Sequence, residues 1–558
     1  MSADRPYRWE PSYPPGVRWD VPLETGTLGA LIDRAAQYGE RIAIEYRGCE
    51  IAYGELGRRV DALAAALLER GWARDPIALY LPNTLHHPVA FFAAAKAGAP
   101  IVSLSPLDAE RELAMKLRDS GARTLVTTNA GPLPAMAAKL LAAGLVDRVI
   151  LGDEAAFGPA PTVPIVEDGR TFALARLIDE GKALAPRWPA IAVDDVALLQ
   201  YTGGTTGLPK AAMLTHANLT AAVSMYDEWA RGQGLAQPGE ERAICVLPLF
   251  HIYALTTVLL RHLKHGNLVM LRPRFDVETT LDDIERKRAT QINGVPTMWI
   301  ALAAHPGIER RDLSSLRQIS SGGAPLPVEV ARQVERLTGH PLGGGWGMTE
   351  TSPAGTNIPR EADRPGTIGL PLPGIVLEVV AVDDPHRVLP AGETGELRIK
   401  GPNVTRGYWN RPEETKAAFV DGFLLTGDIG RMDEDGYFYL LDRKKEMIIS
   451  GGFNVYPRIV EDAIYEHPSV QEVVVVGIPD PYRGEAGKAF VKLKPGAQPF
   501  TLEALRQFLA DKLGRHEQPA ALEFRDALPH TSVGKLSRKE LIAEERRKAA
   551  AHEPAEGV

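Results

Sequence analysis

Residues 202–210 combine glycine, threonine and lysine in a pattern suited to binding an anion. This stretch, TGGTTGLPK, holds three glycines, three threonines and one lysine, Lys210. Backbone N–H groups beside glycine, threonine hydroxyls and an ammonium group together can hold a phosphate. The spacing fits neither the G-x-x-x-x-G-K-[ST] loop nor the G-x-G-x-x-G fingerprint. We therefore predict a phosphate site of another kind, and an ordinary turn rich in glycine and threonine is the alternative.

Four further groups of glycine and polar residues lie downstream and need a common explanation with this loop. They are SSGGAPLP at 320–327, GGGWGMTETSP at 343–353, LLTGDIG at 424–430 together with DRKKEMIISGGFNVYP at 442–457, and LPHTSVGKLSRKEL at 528–541.

Length, composition and charge restrict the class of protein. The 558 residues exceed one ordinary core, so several domains or subdomains are expected. Apolar residues make up 45% and charged residues 24%, as in soluble globular proteins. A net charge of −8, without a basic stripe carrying aromatic residues, argues against nucleic-acid binding. No apolar run has transmembrane length and no signal-peptide pattern is present, so we expect a cytoplasmic enzyme with at most peripheral membrane contact.

Hydrophobic periodicity predicts the elements that position these groups. Residues 59–70 have helical spacing and precede the strand candidate PIALYLP, and residues 90–106 repeat the pattern. Residues 196–199 read as a strand before the glycine-rich loop, and residues 211–223 as a helix after it. The alternation predicts an α/β fold with largely parallel sheets, then a β-rich part with an Asp-Gly hairpin, then a small α+β block after Arg443.

Taken in order, the five groups resemble the motifs of adenylate-forming acyl-CoA synthetases, most of all bacterial medium- and long-chain fatty-acid CoA ligases. The resemblance extends from about residue 25 to about residue 545. It implies an N-terminal adenylation domain at 1–441, built of layered α/β subdomains plus a β-rich subdomain, a hinge at 442–445 and a small mobile α+β C-terminal domain at 446–558. It also implies that ATP converts a carboxylic acid to acyl-AMP, and that coenzyme A then takes the acyl group and releases AMP.

The resemblance also assigns an ATP site. The 202–207 loop with Lys210 would hold the β- and γ-phosphates, and Glu350 would bind Mg²⁺ through a hard oxygen donor. Asp428 would accept hydrogen bonds from both ribose hydroxyls, and small residues at 322–324 would let the backbone lie against adenine. The implied ATP-binding residues are Thr202, Gly203, Gly204, Thr205, Thr206, Gly207, Lys210, Gly322, Gly323, Ala324, Trp346, Gly347, Met348, Thr349, Asp428, Arg443 and Lys535.

Lys535 matches the family lysine that neutralises charge where the carboxylate and the α-phosphate meet. The implied catalytic set is Lys535, Glu350, Thr206 and His251, with His251 shaping the approach of the thiol rather than binding a metal. Acetylation of Lys535 by a lysine acetyltransferase, reversed by a deacetylase, would remove its charge and stop adenylation.

Coenzyme A binding is implied to depend on a rotation of the small domain between the two half-reactions. Lys445 falls at the family's hinge position, where a few residues absorb the change in φ and ψ. The implied coenzyme A contacts are Ser450, Gly451, Gly452, Phe453 and Arg483.

The acyl pocket is the part on which the sequence is least specific. Its candidate lining residues are mostly apolar, which fits an alkyl chain: Tyr253, Thr257, Val295, Met298, Trp299 and Trp346. Trp346 replaces the family's usual tyrosine and is expected to shorten or bend the pocket. Ala301 stands where malonate-activating relatives carry arginine, which argues against malonate. Arg261 and Lys264 are predicted to be surface charges, with recognition of a distal carboxylate as the alternative.

The prediction is a ligase for medium- to long-chain fatty acids, monomeric or homodimeric, with ATP, Mg²⁺ and coenzyme A as its small-molecule requirements. Dicarboxylic acids of the pimeloyl type and aryl acids remain open as substrates. An acyl-AMP ligase that loads a carrier protein, a luciferase-like oxidase of the adenylate and a non-catalytic nucleotide-binding protein are the alternative functions.

Overall fold

The computed structural model of the chain describes residues 6–202, 209–323, 328–450, 453–480, 482–530 and 536–552. Within these ranges, no helix is both long and apolar enough to cross a membrane. The helices are α1 (Leu28–Ala36), α2 (Tyr53–Glu69), α3 (His86–Lys96), α4 (Glu110–Ser120), α5 (Leu133–Ala142), α6 (Leu174–Gly181), α7 (His216–Gly232), α8 (Ile252–Ala254), α9 (Arg261–Lys264), α10 (Val277–Glu285), α11 (Pro296–Ala303), α12 (Val328–Thr338), α13 (Pro412–Ala418), α14 (Pro457–Tyr465), α15 (Leu502–Phe508) and α16 (Lys539–His552). A π-helical segment, Leu255–Leu260, joins α8 to α9.

The strands in chain order are β1 (Ile42–Tyr46), β2 (Cys49–Ala52), β3 (Ile77–Tyr80), β4 (Ile101–Leu104), β5 (Thr124–Thr128), β6 (Arg148–Gly152), β7 (Thr171–Ala173), β8 (Val196–Thr202), β9 (Lys210–Thr215), β10 (Arg242–Cys245), β11 (Leu268–Leu271), β12 (Gln291–Gly294), β13 (Gln318–Ser321), β14 (Gly343–Gly344), β15 (Thr356–Asn357), β16 (Leu370–Pro371), β17 (Val376–Val380), β18 (Thr394–Lys400), β19 (Phe419–Val420), β20 (Phe423–Met432), β21 (Phe438–Arg443), β22 (Ile448–Ser450), β23 (Phe453–Val455), β24 (Val470–Asp480), β25 (Gly484–Leu493) and β26 (Ala521–Phe524).

Two seven-stranded sheets form the α/β part of the chain. Their strand orders are β7-β6-β5-β3-β4-β8-β9 and β14-β13-β12-β10-β11-β1-β2. Neighbouring strands are parallel except at one edge of each sheet, where β9 pairs antiparallel with β8 and β2 with β1. The predicted α/β fold with largely parallel sheets is therefore confirmed.

Helices α1, α2 and α3 fill the space between the two sheets. One continuous core contains Ile44 and Leu79 from the two sheets together with Leu63 and Phe91 from the helices, and all four are at most 1% exposed. Helix α3 is buried over nearly its whole circumference. A helix that is apolar on every side needs cover on every side, which only a position between two layers provides.

The β-rich part follows as a five-stranded sheet of β17 to β21. Strands β20 and β21 pair antiparallel across the turn that contains Asp435 and Gly436, so the predicted hairpin is confirmed. The N-terminal segment packs on this sheet, with the Trp9 ring 6.1 Å from the ring of Phe438. The chain's start and its β-rich part thus share one core.

The last part of the chain is a small α+β unit with its own core. Strands β22 to β26 form one sheet, and α14 and α15 pack on it through Val460, Val475 and Leu505. These strands and helices make up the small α+β block that was predicted after Arg443. Because this unit has its own hydrophobic core, it has the character of a separate small domain.

The predicted helix at 211–223 is wrong over its first five residues. Residues up to Thr215 belong to β9, and α7 begins only at His216. Thr215 caps the helix, because its hydroxyl accepts from the Asn218 N–H while the Asn218 side chain accepts from the Thr215 N–H. Pairing of β9 with β8 overrides the helix propensity of Ala211 and Ala212.

The contact between α2 and α6 gives a stability prediction. A Cβ on Gly181 would lie 1.8 Å from the carbonyl oxygen of Ala62, whereas a Cβ on Gly29 in α1 would make only ordinary contacts of 3.6 Å. Gly181→Ala is expected to cost about 1–3 kcal/mol because the backbone of α2 must shift. Gly29→Ala serves as the matched helical control and should leave the melting temperature unchanged or higher. Equal melting temperatures for the two variants, measured by calorimetry, would contradict this packing.

Candidate active site

A cleft of about 780 Å³ lies where the strands of both large sheets end, beside the β-rich sheet. Parallel sheets commonly bind ligands at the carboxyl ends of their strands. The predicted residues that border this cleft are Thr202, Lys210, His251, Tyr253, Thr257, Val295, Gly322, Gly323, Trp346, Gly347, Met348, Thr349, Glu350, Arg443 and Lys445. Nine others lie outside the described residues: Gly203, Gly204, Thr205, Thr206, Gly207, Ala324, Gly451, Gly452 and Lys535.

The two ends of the glycine-rich loop are held together by a strand pair. Thr202 closes β8, Lys210 opens β9, and the two are register partners. The Lys210 ammonium lies 5.1 Å from the centre of the Tyr408 ring, in cation–π range. The Lys210 ammonium, which is predicted to bind phosphate, therefore lies along the cleft wall that carries Tyr408.

Tyr408 joins this cation to the predicted magnesium ligand. Its hydroxyl donates to Glu350 Oε1 at 2.9 Å, and Glu350 is only 6% exposed. Burial, followed by the charge of Glu350, raises the pKa of the Tyr408 hydroxyl, so this group stays protonated and keeps donating. The sequence analysis missed Tyr408, because GYWN carries no pattern that distinguishes it from a core aromatic.

Separate roles for the ring and the hydroxyl of Tyr408 can be measured. Tyr408→Phe keeps the cation–π contact with Lys210 but removes the donor to Glu350, and is expected to lower kcat/KM for ATP about tenfold. Tyr408→Leu removes both contacts and should lose about a further fivefold. Pyrophosphate exchange is the measurement. Equal losses in both variants would remove the role assigned to the hydroxyl.

Asp428 is fully buried on β20, next to the cleft rather than on its surface. The Trp346 indole N–H donates to its Oδ2 at 2.8 Å, and Arg443 Nε lies 2.7 Å from its Oδ1. The arginine N–H does not point along that line, and Oδ1 receives no hydrogen bond from the described part of the chain. Burial raises the pKa of Asp428, and Arg443 opposes that shift. The Oδ1 atom can therefore accept a hydrogen bond from a hydroxyl that enters beside Arg443.

Two glycines keep the backbone close to the cleft. A Cβ on Gly347 would lie 1.5 Å from the carbonyl oxygen of Pro353, and a Cβ on Gly322 would lie 2.9 Å from the Tyr253 ring. The Gly322 N–H donates to Gly294 O at 3.0 Å, which seats the segment against β12. Neither position can take a larger residue without a shift of backbone or aromatic ring.

His251 precedes α8 at the edge of the cleft. Its Nδ1 accepts from the Tyr253 N–H at 3.2 Å, so the imidazole caps the short helix. In the described ranges, no cluster of three or more His, Cys, Asp or Glu residues could hold a metal ion. The expectation that His251 shapes the approach of the thiol stays a prediction.

The acyl side of the cleft includes four of its six predicted residues. Tyr253, Thr257, Val295 and Trp346 border it, whereas Met298 and Trp299 do not. Helix α11 starts at Pro296 and carries Met298 and Trp299 into the core, where each is at most 5% exposed. The Trp299 indole donates to Ser320 O at 3.1 Å, so this ring supports β13 instead of touching the cleft.

The prediction that Arg261 and Lys264 are surface charges is wrong. Arg261 is 7% exposed and borders the cleft, and its Nε lies 3.1 Å from Asp227 Oδ1. Lys264 is largely buried and bridges Asp227 and Glu24, at 3.0 Å to each. Arg261 and Lys264 can lie inside the protein because Asp227 on α7 compensates their charge.

The predicted hinge residue borders the cleft, whereas the described residues predicted to contact coenzyme A do not. Lys445 borders the cleft, and burial lowers the pKa of its ammonium group. Ser450, Phe453 and Arg483 do not border the cleft. Phe453 is 60% exposed and its ring lies 4.9 Å from that of His516, so it faces outward in this arrangement of the domains.

Comparison with known proteins identifies the family. The family model described as AMP-binding enzyme matches residues 31–409, and that of the AMP-binding enzyme C-terminal domain matches residues 459–535. A long-chain-fatty-acid–CoA ligase of Bacillus subtilis is 38% identical over 562 residues, which cover 98% of this chain and 99% of that one.

Two further similar proteins carry other names. A feruloyl-CoA synthase of an Amycolatopsis species is 38% identical over 516 residues, covering 91% of this chain and 97% of that protein. The crystal structure of ATP-bound MatB from Rhodopseudomonas palustris superposes with a TM-score of 0.82 at 30% identity, covering 94% of this chain and all of that one. With both family models matched in order, the chain belongs to the AMP-binding enzyme family.

Proposed function

We propose that this chain is an AMP-forming acyl-CoA synthetase. It activates a medium- to long-chain fatty acid to acyl-AMP and passes the acyl group to coenzyme A. The observation that carries the proposal is one continuous cleft that joins Lys210, Tyr408 and Glu350 at one end to the acyl-side residues Tyr253 and Val295 at the other. A site that couples ATP to a carboxylic acid needs both ends in one space.

The first half-reaction uses the polar end of the cleft. A carboxylate oxygen of the acid forms a bond to the α-phosphorus of ATP, and pyrophosphate leaves with the electron pair of the broken P–O bond. Lys210 stabilises the charge that accumulates on the departing pyrophosphate. Asp428 Oδ1 and Arg443 hold the ribose end, which fixes the α-phosphate relative to the acid.

The residues present fit one Mg²⁺ ion held by a single carboxylate. Glu350 offers a hard oxygen donor at the cleft surface, and Tyr408 fixes the orientation of that carboxylate. Mg²⁺ is typically bound by one or two carboxylates together with substrate phosphates, without an all-protein cage. Bound there, the ion would neutralise phosphate charge and polarise the leaving pyrophosphate.

The second half-reaction requires a different face of the small domain. We place the domain boundaries at 1–441, 442–445 and 446–558, with Lys445 as the hinge. Outward-facing Phe453 and the glycines next to it would turn toward the cleft and build the channel for the thiol of coenzyme A. The thiolate then attacks the acyl carbon, and AMP leaves with the electrons of the mixed anhydride bond.

Paired assays of the two half-reactions test this function. Each aliphatic acid in a chain-length series is supplied for ATP–pyrophosphate exchange and, separately, for AMP formation that depends on coenzyme A. Activity with fatty acids in both assays is the expected result. Exchange without coenzyme A-dependent AMP would replace coenzyme A by a carrier-protein acceptor. Absence of exchange with every acid would overturn the proposal.

A further inference from the structure

The far end of the acyl cleft is polar, although its walls were predicted to be apolar. Three residues four apart along one helical segment border it, Tyr253, Thr257 and Arg261. On the facing strand β12, Gln291 and Asn293 border it from alternate positions, which point to the same side of a strand. The hydrogen bond from the Asn293 side chain to Thr257 Oγ1 joins the two rows of residues along the cleft.

A chain of hydrogen bonds runs along this polar wall and ends at Gln291. The Gln291 amide donates to Asn293 Oδ1 at 2.9 Å, and the Asn293 amide donates to Thr257 Oγ1 at 3.2 Å. The Thr257 hydroxyl in turn donates to Tyr253 O at 2.7 Å. Each of these three side chains donates to the next group, so the hydrogen bonds fix the order of polar groups along the wall.

Gln291 Oε1 is left over at the end of this chain. Gln291 is 5% exposed, it borders the cleft, and its Oε1 has no hydrogen-bond donor among the described residues. A buried acceptor without a donor costs about 1–3 kcal/mol. A ligand that donates a hydrogen bond at this point recovers that free energy.

Arg261 supplies the complementary donors. Its Nε is engaged by Asp227, and its two terminal nitrogens make no hydrogen bond within the described ranges, although the side chain borders the cleft. A guanidinium has five N–H donors in a fixed fork, and Asp227 takes only one of them. The remaining N–H groups can donate to an acceptor on a ligand in the cleft.

The charges around Arg261 favour a neutral ligand group. Three cations, Arg34, Arg261 and Lys264, lie with three carboxylates, Glu24, Asp227 and Glu241, and His265 adds a charge only when it is protonated. A substrate carboxylate would add a buried negative charge to this balanced group and would place an anion beside Gln291 Oε1. A hydroxyl instead accepts from a guanidinium and donates to an amide oxygen.

Resting on the proposed function, we infer that Arg261 and Gln291 form a hydroxyl-recognition point, and that this ligase selects carboxylic acids with a hydroxyl group at the end remote from the carboxylate. Gln291 lies three residues before Gly294, whose carbonyl oxygen accepts from the Gly322 N–H, so along β12 the recognition point is about 10 Å from the glycine segment at 322–323. This distance lies between the reach of para-hydroxycinnamic acid and that of ω-hydroxydecanoic acid, so both acids are tested.

Matched pairs of acids test the inference with the intact chain. Pyrophosphate exchange is measured with ω-hydroxydecanoic, decanoic and sebacic acids, and with para-hydroxycinnamic and cinnamic acids. In at least one series, kcat/KM for the hydroxy acid should exceed that for the unsubstituted acid by about tenfold or more. Gln291→Met should reduce that ratio about tenfold, because it weakens binding of the hydroxy acid and allows the unsubstituted acid to bind.

The remaining outcomes separate this inference from the proposed function. Preference for decanoic and cinnamic acids overturns the inference but leaves the proposed ligase function in place. Preference for sebacic acid also overturns it, because the group that is recognised would then be a carboxylate and not a hydroxyl. An unchanged ratio in Gln291→Met also overturns the inference. Gln507→Met, on the exposed face of α15, is the control for the same chemical change and should leave the ratio as in the wild type. Failure of every acid overturns the ligase itself.

Discussion

Glu350→Gln should lower the rate of ATP–pyrophosphate exchange about 100-fold to 1000-fold, the loss expected when one preorganised electrostatic partner is removed. The glutamine oxygen can still accept from Tyr408, and the side-chain volume is unchanged, so the fold around residue 350 should persist. Only the negative charge that attracts Mg²⁺ is lost. The variant should therefore need a higher Mg²⁺ concentration for half-maximal activity than the wild type.

The second half-reaction is the internal control for Glu350→Gln. Acyl-AMP supplied directly, with coenzyme A, contains no β- or γ-phosphate, so the variant should form acyl-CoA at a rate within about threefold of the wild type. Glu361→Gln, an exposed carboxylate on the same segment, should change neither reaction. A wild-type Mg²⁺ dependence in Glu350→Gln would remove its role as the metal ligand.

Much of the fold could be predicted from the sequence, because its signals are local. The apolar run of α3 and the strand that follows it need no distant partner to be recognised. The start of α7 was misplaced because it depends on the pairing of β9 with β8 across the glycine-rich loop and on the cap at Thr215. Neither contact has a signal in the alanine-rich sequence that begins at Ala211.

Sequence motifs predict the residues at the phosphate end of the site. The residues that contact them, such as Tyr408, are brought there only by the fold. Tyr408 lies 58 residues beyond Glu350 and contacts it only through the fold. Asp227 precedes Arg261 by 34 residues, and without this partner an arginine at that position is expected at the surface. The polar end of the cleft therefore depends on the packing of α7, α9 and β12, which the sequence does not predict.

Arg538 holds the segment that follows the predicted catalytic lysine. Its guanidinium donates to Glu446 and to both oxygens of Glu461, with Nη2 2.5 Å from Oε2 and Nε 3.2 Å from Oε1. It also lies 3.6 Å from Asp442 Oδ1. Three carboxylates from α14 and the domain boundary thus share one cation. Lys535 lies three residues before Arg538 in the sequence, and the cluster holds the described segment that begins at Leu536.

Arg538→Met should destabilise the small domain by about 3–5 kcal/mol at about pH 8, because it leaves buried carboxylates without their cation. Burial raises the pKa of Glu461 to about 7 even with Arg538 present. The native state therefore binds protons that the unfolded chain, with a pKa of about 4.3, has released. Stability from this group is complete below about pH 4.3 and is lost as the pH rises through 7.

Loss of Arg538 favours the protonated form of Glu461 still more, so the destabilisation should be smaller at about pH 5.5 than at about pH 8. Deuterium exchange of α14 and β24 reports it, since these elements carry the domain's core. Adenylation should fall more than acyl transfer from supplied acyl-AMP, because the role predicted for Lys535 is confined to adenylation. Lys539→Met removes an exposed cation next to the cluster and should have neither effect. Destabilisation that is equal at both pH values would show that Arg538 acts by packing rather than by charge.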